Sequence, residues 1–436
     1  MLNLTVIRCS FVMLCSIFLC MPATGYTTGL GEILHRVEKN APQLNAASAR
    51  ANAAEAGVRV AKSQYWGHAE LLGRDSHFNN DRLVNPISYP PVLNRSSFDR
   101  NSYAYGAVFT LPLDIDGRIS AKMNAQKHLS LASLAGVKQT RLSLFGQAVG
   151  LYRGLQRLDG VKKALEEQLK ALQGHEKITL VAVRVGRVAA VELLRIKAEI
   201  KSVEGALAGL SGDEAIIRAH MGALLNEPLF LPPVELLSEN PVASAEMEPS
   251  DGILLNRPDI SAAGSITKAG DEDVKGARRE WLPNLSLQVE TMRAQGYTAQ
   301  GQNIWAVSAQ MSWQFWDGGR RFAHADQAGA NREVAHQQYQ STLNLARAEL
   351  QSAAAGWKSS ALQYEAAAAG LQAALETERI QSDRFTSGRI SSVDLIDAEA
   401  ALARSRSNYT SALTNWWLAD DQLHLARGEA PVAYKQ

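Results

Sequence analysis

Residues 184–199 read RVGRVAAVELLRIKAE, and 202 positions later residues 386–401 read TSGRISSVDLIDAEAA. Both stretches carry a Gly-Arg step, then an acid (Glu192 or Asp394), then Leu, Ile and Ala at helical spacing. The same offset carries Gly117-Arg118 onto Gly319-Arg320, and an offset of 216 carries Ala41-Pro42-Gln43-Leu44 onto Arg257-Pro258-Asp259-Ile260. Three anchors in one order mark a duplicated chain, and a duplication organises everything assigned after it. The 14 extra residues of the first copy fall in 75–101, which are rich in Asn, Pro, Ser and Arg.

Each quoted stretch follows a long run without proline, about 119–183 and about 322–385. Val137, Leu144, Leu151, Leu158, Leu165 and Leu172 recur every seven residues, as do Leu343, Leu350, Trp357, Tyr364 and Leu371. A sustained heptad predicts helices wound around one another with a left-handed sense. At 1.5 Å per residue each run spans roughly 90 Å, far beyond an ordinary helix. Gly186 and Gly388 break the runs, and second helices are expected over about 190–225 and 392–427, with others before the strands at about 30–63 and 250–280. Residues 226–252 hold Pro228, Pro232, Pro233, Pro241 and Pro249 and read as a linker lying against the flank of the protein. The expected division is therefore a first repeat over 26–225, this linker, a second repeat over 253–427 and a tail over 428–436.

Between the helices the period changes to two. Residues 102–115 place Tyr103, Tyr105, Ala107, Phe109, Leu111, Leu113 and Ile115 on one face. Residues 284–291 set Leu285, Leu287 and Val289 against Asn284, Ser286, Gln288 and Glu290. Residues 303–315 set Trp305, Val307, Ala309, Met311, Trp313 and Phe315 against Ser308, Gln310, Ser312 and Gln314, and residues 66–74 are a weaker candidate. The expected hairpins are about 66–115 and 282–316. Such alternation fits barrel strands with lipid outside and water inside, and equally a soluble sandwich. Two hairpins cannot close a barrel, and lipid tolerates no open sheet edge, so membrane strands would be shared among several chains.

The N-terminus bears on compartment. Arg8 is the only charge before Glu32, Cys9 to Met21 is a run of apolar and small residues, and Pro22-Ala23-Thr24-Gly25 offers small side chains for cleavage. Residues 1–25 read as a secretory signal peptide, too short in its apolar part for a membrane span. Cys9, Cys15 and Cys20 all lie within it, and Ile17-Phe18-Leu19 lacks the small residues of a lipid-attachment box. Without Arg8 the 45 basic residues become 44 against 44 acids, so no cationic excess exists for a nucleic-acid partner. No later apolar run is long enough for a membrane helix, which leaves strands as the route into a bilayer. His175-Glu176 lacks a second histidine four residues on, and no phosphate loop or Ser/His/Asp set suggests itself. No catalytic, cofactor or metal site is expected, and the nine histidines read as surface or tunnel-wall residues.

Several motifs, in order and partly in duplicate, resemble the TolC-like outer membrane efflux protein family. They are Asn256-Arg257-Pro258-Asp259-Ile260, Trp281-Leu282-Pro283-Asn284-Leu285, Phe315-Trp316-Asp317-Gly318-Gly319-Arg320, and Arg384-Phe385-Thr386-Ser387-Gly388 leading to Val393-Asp394-Leu395-Ile396-Asp397-Ala398. The resemblance covers nearly all of the chain after residue 25. It implies a mainly α fold with a β-barrel part: a homotrimer, four membrane strands per chain closing one barrel, and a coiled-coil tunnel continuing through the periplasm. It also implies partners: outer-membrane lipid, a periplasmic adaptor (membrane fusion) protein and an inner-membrane pump, with docking at the hairpin tips Gly186, Arg187, Gly388 and Arg389. The family's aperture carboxylates match Asp394 and Asp397, three apart on one helix face. Asp394 fits a helix cap equally well, because Ser391-Ser392-Val393-Asp394 is a capping-box pattern. Closing links in the family match Phe385, Ile390 and Glu192, where members often carry tyrosine and arginine at the first two. Neither Phe385 nor Ile390 can bond Glu192, so Arg384 or Arg389 is the expected substitute. The alternatives to a duct are a periplasmic adaptor, which would carry one helical hairpin flanked by β-rich halves, and a coiled-coil scaffold without a pore.

Overall fold

The structure, a computed structural model, describes residues 28–84, 98–227, 230, 233–235, 251–299 and 301–435. The expected signal segment and most of 226–252 lie outside the described residues. In chain order the helices α1 (Leu30–Asn40) and α2 (Pro42–Ser63) lead to strands β1 (His68–Leu83) and β2 (Phe98–Leu113). Helices α3 (Arg118–Arg184) and α4 (Ala190–Leu225) follow. The order recurs as α5 (Asp251–Leu254), α6 (Pro258–Arg278), β3 (Asn284–Gly296), β4 (Gln302–Ser312), α7 (Arg320–Thr386) and α8 (Ser392–Ala426), closed by α9 (Val432–Lys435).

The helix expected over 30–63 is two helices. Ala41 is extended (ψ 119°) because the ring of Pro42 disfavours helix in the residue before it, and Pro42 then starts α2 with its fixed φ. Arg257 (ψ 136°) and Pro258 repeat the device at the start of α6, so that the paired anchors Ala41-Pro42 and Arg257-Pro258 are two equivalent helix starts. There Arg257 also donates from Nη1 to the carbonyl of Ala426 at 2.7 Å and from Nε and Nη2 to both oxygens of Asp259, and Nη2 reaches Glu349 at 2.8 Å. One buried guanidinium thus satisfies a terminal carbonyl of α8 and fixes the entry to the second repeat.

The strands form one antiparallel sheet in the order β1-β2-β3-β4. Its register puts the odd-numbered residues on one face: Ala69, Phe109, Val289 and Val307 form one row across the sheet. Leu71, Ala107, Thr291 and Trp305 form the next. In the single chain Leu71 is 89% exposed and Trp305 78%, so this face has no protein cover. The even-numbered face carries Glu70, Thr110, Ser286, Gln288, Glu290, Ser308 and Gln310. Strand limits differ from the alternation at four ends. β1 continues to Leu83 and β2 begins at Phe98, through a mostly polar stretch joined by backbone pairing and by the side-chain contacts His77–Asn101 and Arg100–Asp81, with a bulge between His77 and Arg82. β3 likewise runs on to Gly296. β4 stops at Ser312, and Trp313 instead donates its indole N–H to the carbonyl of Trp281 at 3.0 Å. At the far end of the sheet Asp99 accepts from the Thr298 amide and hydroxyl, at 2.5 and 2.8 Å, which pins the β3–β4 turn onto β2.

Each strand pair enters its long helix through an aspartate. Asp114 accepts from the amides of Ile119 and Ser120 at 2.8 and 2.9 Å, from the Ser120 hydroxyl at 2.5 Å and from Tyr65 at 3.2 Å. Asp317 accepts from the amides of Gly319 and Arg321 and from Arg321 Nε at 2.7 Å, while the Arg321 guanidinium lies over Trp281, 4.3 Å from its ring centre. Burial pushes the Asp114 carboxyl up, but its four donors outweigh burial and hold it below the ordinary carboxylate range. Such a depressed group contributes stability that is complete above the ordinary value near about 4 and fades as pH falls through the lowered one. Asp114→Ala is therefore expected to cost about 1 kcal/mol near neutrality. In thermal unfolding followed from pH 7 downward, the gap between variant and wild type should close below about pH 4.

α3 and α7 are each 67 residues long, roughly 100 Å at 1.5 Å per residue. Near the sheet α3 packs on α2 and α6, and farther along on α4 and α8; α7 packs on α6 and α8. Of the first heptad row, Leu144, Leu158 and Leu172 are buried while Val137, Leu151 and Leu165 are only partly so, as the helix exchanges neighbours along its length. The largest core sits at the waist, where Ile33, Leu34 and Val37 meet Leu144, Phe145, Tyr152, Met221, Leu225 and Phe230. Phe230 and the carbonyl of Glu235, which accepts from Gln156 at 2.8 Å, show described linker residues seated on the helices. α7 buries only Arg321, Ala328, Ala346 and Leu350 within the protomer.

Candidate aperture at the helical tips

Both hairpins turn by the same device. Gly186 (φ 74°) ends α3, with Arg187 donating its amide to the Ala182 carbonyl and Gly186 donating to Val183. Gly388 (φ 70°) ends α7, with Arg389 donating to Arg384 and Gly388 to Phe385. The left-handed conformation at these two positions requires glycine, which is why the Gly-Arg step recurs in both copies. Around the first turn Val181, Val185, Val191 and Leu194 are exposed, an uncovered apolar tip.

α8 begins with a complete capping box: the Asp394 amide donates to Ser391 Oγ, and the Ser391 amide donates to Asp394 Oδ2 at 3.1 Å. Asp394 and Asp397 are both exposed, on the side of α8 away from the buried Leu395, Ala398 and Glu399. Asp394 thus caps the helix and still presents a carboxylate to solvent.

Glu192, in the first turn of α4, accepts a hydrogen bond at Oε2 from the hydroxyl of Ser392, in the first turn of α8. Its other oxygen accepts from Arg195 at 3.2 Å. Among the described residues neither Arg384 nor Arg389 pairs with Glu192. Both arginines sit at the turn itself, whereas Glu192 and Ser392 each sit one step into the helix after a turn. The partner that Glu192 finds in the other repeat is therefore a serine, which a search for complementary charge passes over. Phe385 packs instead against a half-buried histidine: its ring meets His175 of α3 edge-on, with centres 5.7 Å apart. His175 is no wall residue, since its side chain is 11% exposed, and Nε2 lies 3.3 Å from Oε1 of Glu399, which is 5% exposed. Arg406 of α8 reaches back to Glu167 of α3 at 2.5 Å. Ser392→Ala is expected to weaken the α4–α8 contact by about 2 kcal/mol, the usual worth of a hydrogen bond to a charged group. Faster amide exchange over residues 392–402, with unchanged exchange at the waist, is the result to look for.

An open-edged sheet with one apolar face, continuous with two helical hairpins of this length, defines a protomer of an α-helical barrel carrying membrane strands. The model of the family described as outer membrane efflux protein matches residues 33–227 and 250–429. The chain belongs to the outer membrane efflux protein family, whose place is the bacterial outer membrane with helices extending into the periplasm. It is 25% identical over 305 residues to the toluene efflux pump outer membrane protein TtgC of Pseudomonas putida, an alignment covering 66% of this chain and 61% of that protein. The chain thus spans about three fifths of the first curated relatives it matches. A crystal structure of CusC shares the fold with a TM-score of 0.79 at 19% identity, over 92% of both chains. VceC from Vibrio cholerae does so with a TM-score of 0.78 at 19% identity, over 92% of this chain and 96% of that one.

Proposed function

We propose that this chain is the outer-membrane duct of a tripartite efflux or type I secretion system, acting as a homotrimer that conducts without chemistry of its own. The carrying observation is the sheet: an apolar, uncovered face and two unpaired edges, β1 and β4, on a strand set that leads directly into roughly 100 Å helices. Lipid covers such a face and further copies of the sheet pair such edges. The sparse burial of α7, with Val334, Leu345 and Leu362 exposed, supports the same copies packing side by side along the tunnel. In this reading the two repeats span 26–225 and 253–427, joined by 226–252, and residues 1–25 direct export. Asp394 and Asp397 ring the periplasmic aperture, and the Glu192–Ser392 bond holds it. The apolar tip beside Gly186, Arg187, Gly388 and Arg389 supports docking of a periplasmic adaptor, and through it an inner-membrane pump.

The test is single-channel recording of the purified protein in planar bilayers. A steady, cation-preferring conductance is expected. A folded trimer that never inserts would overturn the reading and favour a periplasmic scaffold, whose aromatic sheet face would then bury against protein.

A further inference from the structure

We propose that Arg293 of β3 anchors a binding site for the phosphate of an outer-leaflet lipid headgroup, on the apolar side of the sheet at its far end. The proposal rests on the duct reading, because only a sheet set in a bilayer brings this arginine to lipid. The register places it. Arg293 is odd-numbered and so lies on the apolar face with Leu285, Leu287 and Val289 of its own strand, opposite Tyr105 of β2 and Asn303 of β4. The row before it, on the side of the helices, is Leu71, Ala107, Thr291 and Trp305. From Leu285 to Arg293 the strand covers about 27 Å, or about 20 Å of height at the usual tilt, against an apolar band about 25 Å tall. Charge within hydrocarbon is costly, and a long cationic side chain at its rim turns outward to the headgroups. Arg293 is exposed and can make that turn.

The surroundings set the sign of the ligand. Nε donates to the Gln295 side chain at 3.2 Å and Nη1 to that of Asn303 at 3.4 Å, both neutral. Among the described residues no carboxylate pairs with Arg293. The nearest acid on the same face, Asp75, stands on β1, two strands over and one row out, about 12 Å away between Cα positions. Asp99, farther along, is buried and already accepts from Asn101 and Thr298. Hydroxyl and amide groups surround the guanidinium instead. Tyr105 and Tyr297 are exposed, and Tyr297 lies edge-on to Tyr103, whose hydroxyl accepts from Gln295. Exposed tyrosine and tryptophan at the rim of an apolar face mark the headgroup level. An arginine there, with N–H groups left over and no acid to neutralise it, grips a phosphate through paired hydrogen bonds. The apolar rows beside it take the acyl chains, which selects a lipid phosphate over a free one. A phosphomonoester headgroup, with its greater charge, is held in preference to a zwitterionic one.

The experiment reconstitutes the purified protein in vesicles containing brominated lipid, which quenches tryptophan on contact. Trp305 stands on the same face one row from Arg293, and Trp305→Phe measured in parallel subtracts the other tryptophans. Brominated phosphatidic acid diluted in plain phosphatidylcholine is compared with brominated phosphatidylcholine at the same fraction. Phosphatidic acid is expected to be enriched about fivefold beside Trp305 in the parent and less than about twofold in Arg293→Gln, with quenching by phosphatidylcholine equal in both. Equal enrichment in parent and Arg293→Gln overturns the site. So does enrichment that millimolar inorganic phosphate abolishes, since the ligand would then be a free anion. Quenching by phosphatidylcholine with no preference for phosphatidic acid overturns the site and leaves the strands in the membrane. Quenching by neither lipid, from a folded protein, overturns the duct reading together with the site.

Discussion

Replacing Asp394 and Asp397 together by alanine is expected to reduce the cation-to-anion permeability ratio about fivefold to tenfold, in a pore that still forms. The expectation rests on both carboxylates being exposed on α8, one turn apart, with no ion-pair partner among the described residues. Three chains would gather six such groups about one axis, and rings of fixed charge select by sign where the pore is narrow. The two positions differ in one respect. Asp394 also holds the capping box with Ser391, so Asp394→Ala should cost about 1 kcal/mol of helix stability besides its charge. Asp394→Asn keeps an acceptor for the Ser391 amide and removes only charge. Selectivity lost in Asp397→Ala and Asp394→Asn, with thermal stability unchanged, assigns the effect to the field in the aperture. Selectivity retained in the double alanine variant would leave Asp394 a cap and Asp397 a surface acid.

The second large effect lies at the waist. Arg153 of α3 donates from Nε to Asp421 Oδ2 at 3.0 Å, its Nη2 lies 2.9 Å from the same oxygen, and Nη1 donates to Gln156 at 2.9 Å. The guanidinium also lies over the Trp417 ring, 5.3 Å from its centre. Arg153 and Asp421 are both buried, and Asp420 beside them accepts from the Trp357 indole at 3.1 Å. Burial holds the Asp421 carboxyl above its ordinary range, with Asp420 adding to the push and Arg153 pulling against it. Arg153→Ala removes the pull and leaves a buried carboxylate uncompensated, a loss of about 3–5 kcal/mol. Because a raised carboxyl destabilises only while it is charged, the deficit should shrink as pH falls and Asp421 takes up a proton. Arg153→Met/Asp421→Leu should recover most of the stability, since a well-packed apolar pair replaces a buried ion pair at little cost. A double-mutant cycle by thermal unfolding at pH 7 and pH 5 checks both statements. Equal losses in the single and double variants would show packing, rather than charge, to be what the arginine supplies.

The long helices were legible because their signals are local. Heptad spacing, the absence of proline and a glycine at each turn place the ends of α3 and α7 within two residues of where they stand. Alternation found the lipid-facing halves of β2, β3 and β4 but not the outer half of β1, where residues 75–83 pair by backbone and have no burial to imprint a period. Pro42 carried the break between α1 and α2, yet an otherwise helical composition on both sides concealed it. At the tips the capping box of Asp394 was legible from four adjacent residues. The partner of Glu192 was not, because it lies 200 positions away and is uncharged. His175 and Glu399 were illegible for a related reason: each is ordinary on its own helix, and they meet, with Glu399 buried, only when α3, α7 and α8 come together.

The unpaired edges of β1 and β4 have a consequence for how the molecule reaches its membrane. A single chain cannot enter a bilayer without exposing two rows of unsatisfied peptide groups to hydrocarbon. Insertion of a duct built from copies of this sheet is therefore coupled to subunit association, and its rate rises steeply with the local supply of newly exported chains. The same coupling makes damage dominant. In the proposed trimer a chain whose edge cannot pair would spoil every ring it joins, and with good and bad chains in equal supply only about one trimer in eight would be wholly sound.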